Sequence, residues 1–345
     1  MMKNKIILLF VLAFLFQVNN AFSQGCDADE PADSTGTPAI KVFGYIQPEY
    51  VYTLSDPSTN TFTFKRARIG VRGKVLNDFS YYFMLEASPF IGGVGSAYLM
   101  DAFVAWEKYN WARIAVGSFK QPFGREVVTP CNNLTTIDRA IVSDQLVAPQ
   151  RDYGIMVLGG NKYNRFGYQV ALMNGRGLNV TDNNSKKDMI GRATYQVFDF
   201  MSLGASFRYG YPNNDDDTRT TYGADILLKF NNLHIQGEYI QDEGDYNRAA
   251  GGGCGSEPME LGEKRAGAYG MIWYDTKWDL QPVFKYEYFD QDLDIKDIGY
   301  QERMTLGVNY FFNDKIRLQI NYQANIETYI NIDNDKFLAQ IQVKF

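Results

Sequence analysis

Hydrophobicity in this chain repeats at every second residue over stretches of about ten, and that period decides most of what the chain can fold into. Leu203, Ala205, Phe207 and Tyr209 share one face, opposite Gly204, Ser206 and Arg208. Met304, Leu306, Val308 and Tyr310 oppose Arg303, Thr305, Gly307 and Asn309. Ile316, Leu318, Ile320 and Tyr322 oppose Arg317, Gln319, Asn321 and Gln323. Each stretch is a strand with one apolar and one polar face. Helical periodicity is scarce, and no segment has the ~18 consecutive apolar residues that a membrane-spanning helix needs.

Connections between these stretches alternate between short and long. Leu76-Asn77-Asp78, Lys108-Tyr109-Asn110, Phe198-Asp199-Phe200, Asn231-Asn232 and Asn313-Asp314 suit tight turns. Gly175 to Lys187, Pro212 to Asp217, Asp242 to Lys264 and Asp290 to Ile298 are longer and rich in Gly, Asn and Asp. The segments number about sixteen, an even count as bacterial outer-membrane barrels require. A soluble sandwich would alternate too, so the 24 Tyr and 24 Phe break the tie. They gather at strand ends, as in Tyr50 and Tyr52, Phe62 and Phe64, Phe79 and Tyr81, Tyr286 and Tyr288, and Phe311 and Phe312. That placement suits two interfacial girdles. The expected fold is an all-β, transmembrane, antiparallel β-barrel.

At the N-terminus Lys3 and Lys5 precede an apolar run from Ile6 to Phe16, with Ala21 and Ser23 at -3 and -1 of a cut before Gln24. Residues 1–23 thus read as a signal peptide. Residues 24–38 form a flexible periplasmic segment, and 39–345 the barrel. The other end carries Phe337, Ala339, Ile341, Val343 and Phe345, apolar at every second position. A terminal Phe closing such a strand looks like the signal read by the outer-membrane barrel assembly machinery of Gram-negative bacteria.

The formal charge of -6 argues against a nucleic-acid partner, and the single His removes most histidine-based catalysis and metal binding. Loss of Met1 to Ser23 takes away two lysines and no acids, so the exported chain is more acidic still. His234 follows the Asn231-Asn232 turn, and no Gly-x-Ser-x-Gly elbow surrounds any serine, so no enzyme is expected. Gly92-Gly93 and Gly251-Gly252-Gly253 lack the Lys-Ser/Thr of a phosphate loop. Three cysteines, Cys26, Cys131 and Cys254, leave one unpaired if the two in loops, Cys131 and Cys254, join; three free thiols are the plainer reading. Ser23-Gln24-Gly25-Cys26 is a poor lipoprotein box. Acidic loops such as Asp215-Asp216-Asp217 and Asp290 to Asp297 are either solvated or bridged to lipopolysaccharide by divalent cations.

The middle of the chain is similar to a known family. Phe64-Lys65-Arg66-Ala67-Arg68-Ile69-Gly70-Val71-Arg72-Gly73-Lys74 resembles the strand that opens members of the phosphate-selective porin O and P family. Gly117-Ser118-Phe119-Lys120-Gln121-Pro122-Phe123-Gly124 with Glu126 resembles that family's Gly-x-Phe-Lys-x-Pro-Phe segment. Ile137-Asp138-Arg139 and Arg151-Asp152-Tyr153-Gly154 match its later landmarks, Glu-Arg and Arg-Asp-x-Gly. The resemblance implies a sixteen-stranded, trimeric outer-membrane porin whose third loop folds inward. It does not imply phosphate.

The residues support a pore without it. A barrel of about sixteen strands is too wide for side chains to fill, so its lumen holds water. On the second strand Ala67, Ile69, Val71 and Val75 face lipid, while Arg66, Arg68, Arg72 and Lys74 form an inward basic ladder. Lys65 breaks the alternation and is expected to snorkel near the rim. Extending the faces adds inward Arg113, Arg192, Arg208, Lys229, Lys285, Arg303, Arg317 and Lys344 against the acids Glu86, Asp101, Asp225, Glu238 and Glu287. Such an excess raises the local anion concentration. The alternative role of any one cation is to pair with lumenal acids and loop three, stiffening the wall.

Loop three, from Phe119 to Gln150, lacks Gly-rich floppiness and carries Val127, Val128, Leu134, Ile137, Ile141, Val142 and Leu146. Folded inward it would constrict the lumen and present Lys120, Arg125, Arg139 and Arg151 beside Glu126, Asp138, Asp144 and Asp152. The expectation is an outer-membrane porin for small hydrophilic solutes, anion-preferring, assembled as a trimer in lipid and lipopolysaccharide. A structural or adhesive barrel without an open channel is the alternative.

Overall fold

The computed structural model describes residues 40–345 apart from 76–77, 94, 161–163, 247–258, 296–298 and 327–332. The signal peptide, the segment at 24–38, Cys26, Gly251-Gly252-Gly253 and Cys254 lie outside the described residues.

Alternating sequence becomes strand wherever it was read. The first part of the chain forms β1 (Lys41–Leu54), β2 (Thr59–Val75), β3 (Phe79–Glu86), β4 (Tyr98–Tyr109) and β5 (Ala112–Lys120). After a long connection come β6 (Arg151–Gly159), β7 (Phe166–Met173), β8 (Asp188–Phe198), β9 (Met201–Gly210) and β10 (Arg219–Phe230). The rest supplies β11 (Leu233–Gly244), β12 (Lys264–Tyr274), β13 (Leu280–Asp290), β14 (Tyr300–Phe311), β15 (Ile316–Ile326) and β16 (Asp335–Lys344). All neighbours pair antiparallel, and β1 pairs with β16, so these sixteen strands close into a barrel with no free edge. Among the described residues four short helical turns interrupt the loops: α1 (Ser88–Ile91), α2 (Arg125–Val128), a 3-10 turn at Cys131–Asn133, and α3 (Ile141–Leu146).

Burial runs opposite to that of a water-soluble sandwich. Val104, Val116 and Leu306 are more than half exposed, whereas Arg66, Arg208 and Lys285 are at most 2% exposed. Apolar residues therefore cover the outside and charged ones the inside, the sense a lipid-facing wall requires. Rings mark both ends of that outer band. Trp111, Phe166, Phe198, Phe230 and Phe312 stand exposed beside the short turns, and Phe62, Tyr222, Tyr239 and Tyr288 toward the long loops. The tight turns follow their sequences. At Asn231 the backbone is left-handed (φ 53), as a two-residue hairpin turn demands and Asn tolerates.

Candidate functional site

Register assigns every strand's inner face. Lys41, Phe43, Tyr45 and Gln47 of β1 lie opposite Arg72, Gly70, Arg68 and Arg66 of β2. Carried round the barrel, the inner face divides into three arcs. From β3 to β7 it is largely apolar, with Met84, Phe103, Ala115, Met156 and Ala171. From β8 to β13 it is charged, with Arg192, Arg208, Asp225, Glu238 and Glu287. From β14 to β16 it is mostly amide, with Asn309, Gln319, Asn321, Gln323 and Gln340.

The connection between β5 and β6 is bonded along its length to this inner face. Backbone N–H groups at the start of α2 donate to Glu238, from Arg125 at 3.0 Å and Glu126 at 3.1 Å, and Gly124 N–H donates to Ser206 Oγ at 3.0 Å. Ile141 N–H at the start of α3 donates to Glu287 at 2.8 Å, and Ile137 N–H to Asn321 at 2.8 Å. At the opposite ends cations meet carbonyls. Arg219 donates to Leu146 O at 2.5 Å and Ala148 O at 2.8 Å, and Arg208 donates to Ala148 O at 3.0 Å. Between the two turns, Arg317 donates to Leu134 O at 2.9 Å, and Lys285 to Asp138 O at 3.1 Å. Glu238 and Glu287 at the N-termini of α2 and α3, and Arg219 and Arg208 at the C-terminal end of α3, match the orphan groups and the dipole of those turns.

The expected pore and constriction residues are thus dispersed among several roles. Arg68 pairs with Glu86 at 2.7 Å and also donates to Tyr45 Oη and Cys131 Sγ. Arg192 and Arg125 share Asp225 at 2.5 and 2.7 Å. Arg208 pairs with Asp188, Arg303 with Glu287 at 2.8 Å, and Arg151 with Asp101 at 2.9 Å. Arg66 donates to Gln47 at 2.9 Å and Arg113 to Gly160 O at 2.8 Å. Lys120 bridges Val127 O and Thr129 O at 2.8 and 2.9 Å, and Arg139 donates to Thr129 O at 2.9 Å and to Cys131 Sγ. Glu126 accepts from Ala140 N–H at 2.6 Å, and Asp152 accepts from the N–H groups of Tyr153 and Gly175. Asp144 accepts from Gln150 at 2.9 Å. Burial pushes the Glu126 carboxyl up, against the attraction of Lys285 and Arg139. Burial would raise Asp138 as well, but the Lys65 ammonium beside it, and its hydrogen bond, hold that carboxyl well below the usual range.

Between this connection and the short-turn rim lie two cavities, of about 300 and 410 Å³, which share Pro130 and Asn133 in their walls. The smaller is lined by Arg113, Arg125, Arg165, Arg192 and Lys229, with Glu126 its one acid. The larger is lined by Lys41, Arg68, Arg72, Lys120, Arg151 and Lys344, with Asp101 its one acid. Arg72 is half-buried with its guanidinium 5.7 Å from the centre of the Phe43 ring, and Lys74 is exposed beyond it.

The family described as "Phosphate-selective porin O and P" matches residues 49–232, from β1 through the whole β5–β6 connection to the turn after β10. The chain belongs to this family. Porin O of Pseudomonas aeruginosa is 23% identical over 286 residues, which span 78% of this chain and 62% of that one. The chain therefore spans less than two thirds of the length of that relative. Among solved structures, the outer-membrane channel DcaP of Acinetobacter baumannii superposes with a TM-score of 0.67 at 12% identity, covering 91% of this chain and 99% of that one. An anion-selective porin from Comamonas acidovorans gives 0.65 at 13%, covering 90% and 100%. At such identities the likeness is one of fold.

Two features of the inner wall depart from expectation. Lys65 does not snorkel to the rim: its Nζ lies 2.6 Å from Asp138. The cause is a β-bulge. Gln47 pairs with Arg66 and Pro48 with Phe64, so Lys65 has no partner across the ladder and turns to the same side as Arg66. The inner acids also number more than five. Glu49, Asp152, Asp188 and Asp242 are buried, and so are the cations Arg219 and Arg265. Asp242 accepts from Arg219 at 2.8 Å and from Arg265 Nε at 2.6 Å. Asp188, Asp242, Arg219 and Arg265 sit in the first or last turns of their strands, where alternation fades into loop sequence. The Nε2 of His234 lies 2.9 Å from Asp275, and its ring stacks on Trp273.

Proposed function

We propose that this chain is an outer-membrane porin through which small hydrophilic solutes diffuse passively, with a preference for anions. The observation that carries it is the inverted burial of a closed sixteen-strand barrel, apolar outside and charged within, in a chain of the porin O and P family. The β5–β6 connection folds into the lumen as its constriction. Support for this comes from its bonds to Ser206 on one arc and to Asn321 on another, which a loop outside the barrel could not reach together. Many of the ladder cations hold that connection or pair with acids, so the anion preference falls to the short-turn side. There Arg72, Arg113, Arg165, Lys229 and Lys344 line the two cavities. Porins place their short turns in the periplasm, and the leader at 1–23 would deliver the chain there for assembly through Phe345. Homotrimers surrounded by lipid and lipopolysaccharide are the assembly implied by the family, and phosphate is one of the anions it would pass.

Planar-bilayer recording under a KCl gradient tests this. The expected reversal potential favours anions, and Arg72→Ala reduces it. Cation preference would overturn the anion path, and a folded barrel without conductance would favour a structural or adhesive role.

A further inference from the structure

Four rings stand side by side on the inner wall, three of them in its largely apolar arc from β3 to β7. Phe43, Tyr82, Phe103 and Phe119 stand on the inner faces of β1, β3, β4 and β5, with successive ring centres 5.0, 5.3 and 6.2 Å apart. Tyr82 and Phe103 are nearly parallel, at 9°. Room for the first ring is made by Gly70, where a Cβ would come within 2.5 Å of Phe43 Cζ. Phe103 and Phe119 also pack beneath the β5–β6 connection. Tyr82 packs against the edge of their cluster and Phe43 lies outside it; both are half-buried and line the 410 Å³ cavity. Cations flank this strip. Arg72 lies over Phe43, Arg68 lies 5.6 Å from the Tyr45 ring centre, and Lys344 lines the same cavity.

A small inorganic anion gains nothing from such a wall, because rings cannot replace its hydration. A solute carrying both a ring and a carboxylate gains twice. Its ring stacks on Tyr82 and Phe43, and its charge meets Arg72 and Lys344. We propose that this cavity is a binding site for aromatic carboxylates, retained on their way through the channel. The inference rests on the anion-preferring porin reading above and names a solute class for it.

Calorimetric titration of the purified barrel in detergent, with benzoate, cyclohexanecarboxylate and inorganic phosphate as probes, decides it. Benzoate is expected to bind roughly tenfold more tightly than cyclohexanecarboxylate, the worth of two ring contacts. Tyr82→Leu keeps apolar bulk and should abolish that preference. Arg72→Gln should weaken both carboxylates alike. Should Tyr82→Leu fail to fold, Phe43→Leu on the neighbouring strand asks the same question. Equal binding of the two carboxylates, no benzoate binding, or a preference untouched in the leucine variants would each overturn the site and make the rings mere packing. A cation-favouring reversal potential in KCl would instead sink the anion-preferring reading, and the benzoate titration would still report on the cavity.

Discussion

Lys65 and Asp138 show how one residue out of register can tie a loop to a wall. Their side chains remain about one quarter exposed, so the pair stands between a surface bridge and a buried one and is worth about 1–2 kcal/mol. Because the folded Asp138 carboxyl titrates below its ordinary value of 3.8, its contribution is complete above that pH and is lost as pH falls below it. Asp138→Asn should therefore melt at a lower temperature than the parent at pH 7, with the gap holding to about pH 4 and narrowing progressively below it in thermal unfolding followed by circular dichroism. A gap of constant size would count against the pairing. Glu126 has the opposite sign. Burial raises its pKa above 4.5, so the acidic side favours the fold and ionisation on the alkaline side costs stability. Glu126→Gln keeps an acceptor for Ala140 N–H and drops the charge, and should gain about 1 kcal/mol relative to the parent as pH rises from 5 to 9. The type of these two residues was visible in the sequence, and the partnership was not. Lys65 could be seen only as a break in alternation, because the bulge that turns it inward depends on how β1 lies against β2.

At the scale of elements, alternation was enough to assign faces. Arg303, Arg317, Glu238 and Glu287 lie on the side their period required, since a strand's side chains have only two directions to choose from. What period two cannot carry is partner identity. Arg208 meets Ala148 and Arg317 meets Leu134, contacts between residues 60 and 183 positions apart. The turns α2 and α3 are too short to be stable alone, and both take their N-terminal acceptors from the wall. Glu238→Ala would orphan two buried N–H groups and should cost about 2–4 kcal/mol, whereas Glu238→Gln keeps one acceptor and should cost markedly less. Hydrogen exchange at the Arg125 and Glu126 amides is the direct measurement, and equal protection in the two variants would refute the capping. Gly124 gives an independent route to the same contact. Its φ is 65°, and a Cβ there would collide with Glu238 Oε1, so Gly124→Ala should also speed exchange at both amides.

For the whole molecule, net charge conceals a division of labour between two sets of cations. The acids Asp182, Asp215, Asp290 and Asp292 belong to the long-loop side, while the two short-turn cavities hold eleven Lys or Arg against Glu126 and Asp101. Composition registers only the sum of these regions, which is why a formal charge of -6 says nothing about the sign inside. The cations also differ in what they touch. Arg208 is 2% exposed and bonded to Asp188 and Ala148 O, so it holds the β5–β6 connection in place. Arg165 is exposed and Lys229 half-buried at the edge of the smaller cavity, where their charge acts at a distance on ions in the solvent. A unit charge ~7 Å from an ion in water changes its local concentration about threefold. Arg165→Gln with Lys229→Gln should therefore lower the anion-to-cation permeability ratio severalfold at low salt, lose that effect in concentrated KCl, and leave the melting temperature unchanged. Arg208→Gln should do the reverse: leaving Asp188 buried without its partner costs about 3–5 kcal/mol, with little change in the ratio. Paired bilayer recordings and thermal melts on the two variants distinguish the roles, and an exchange of the two phenotypes would mean that selectivity resides in the buried ladder after all.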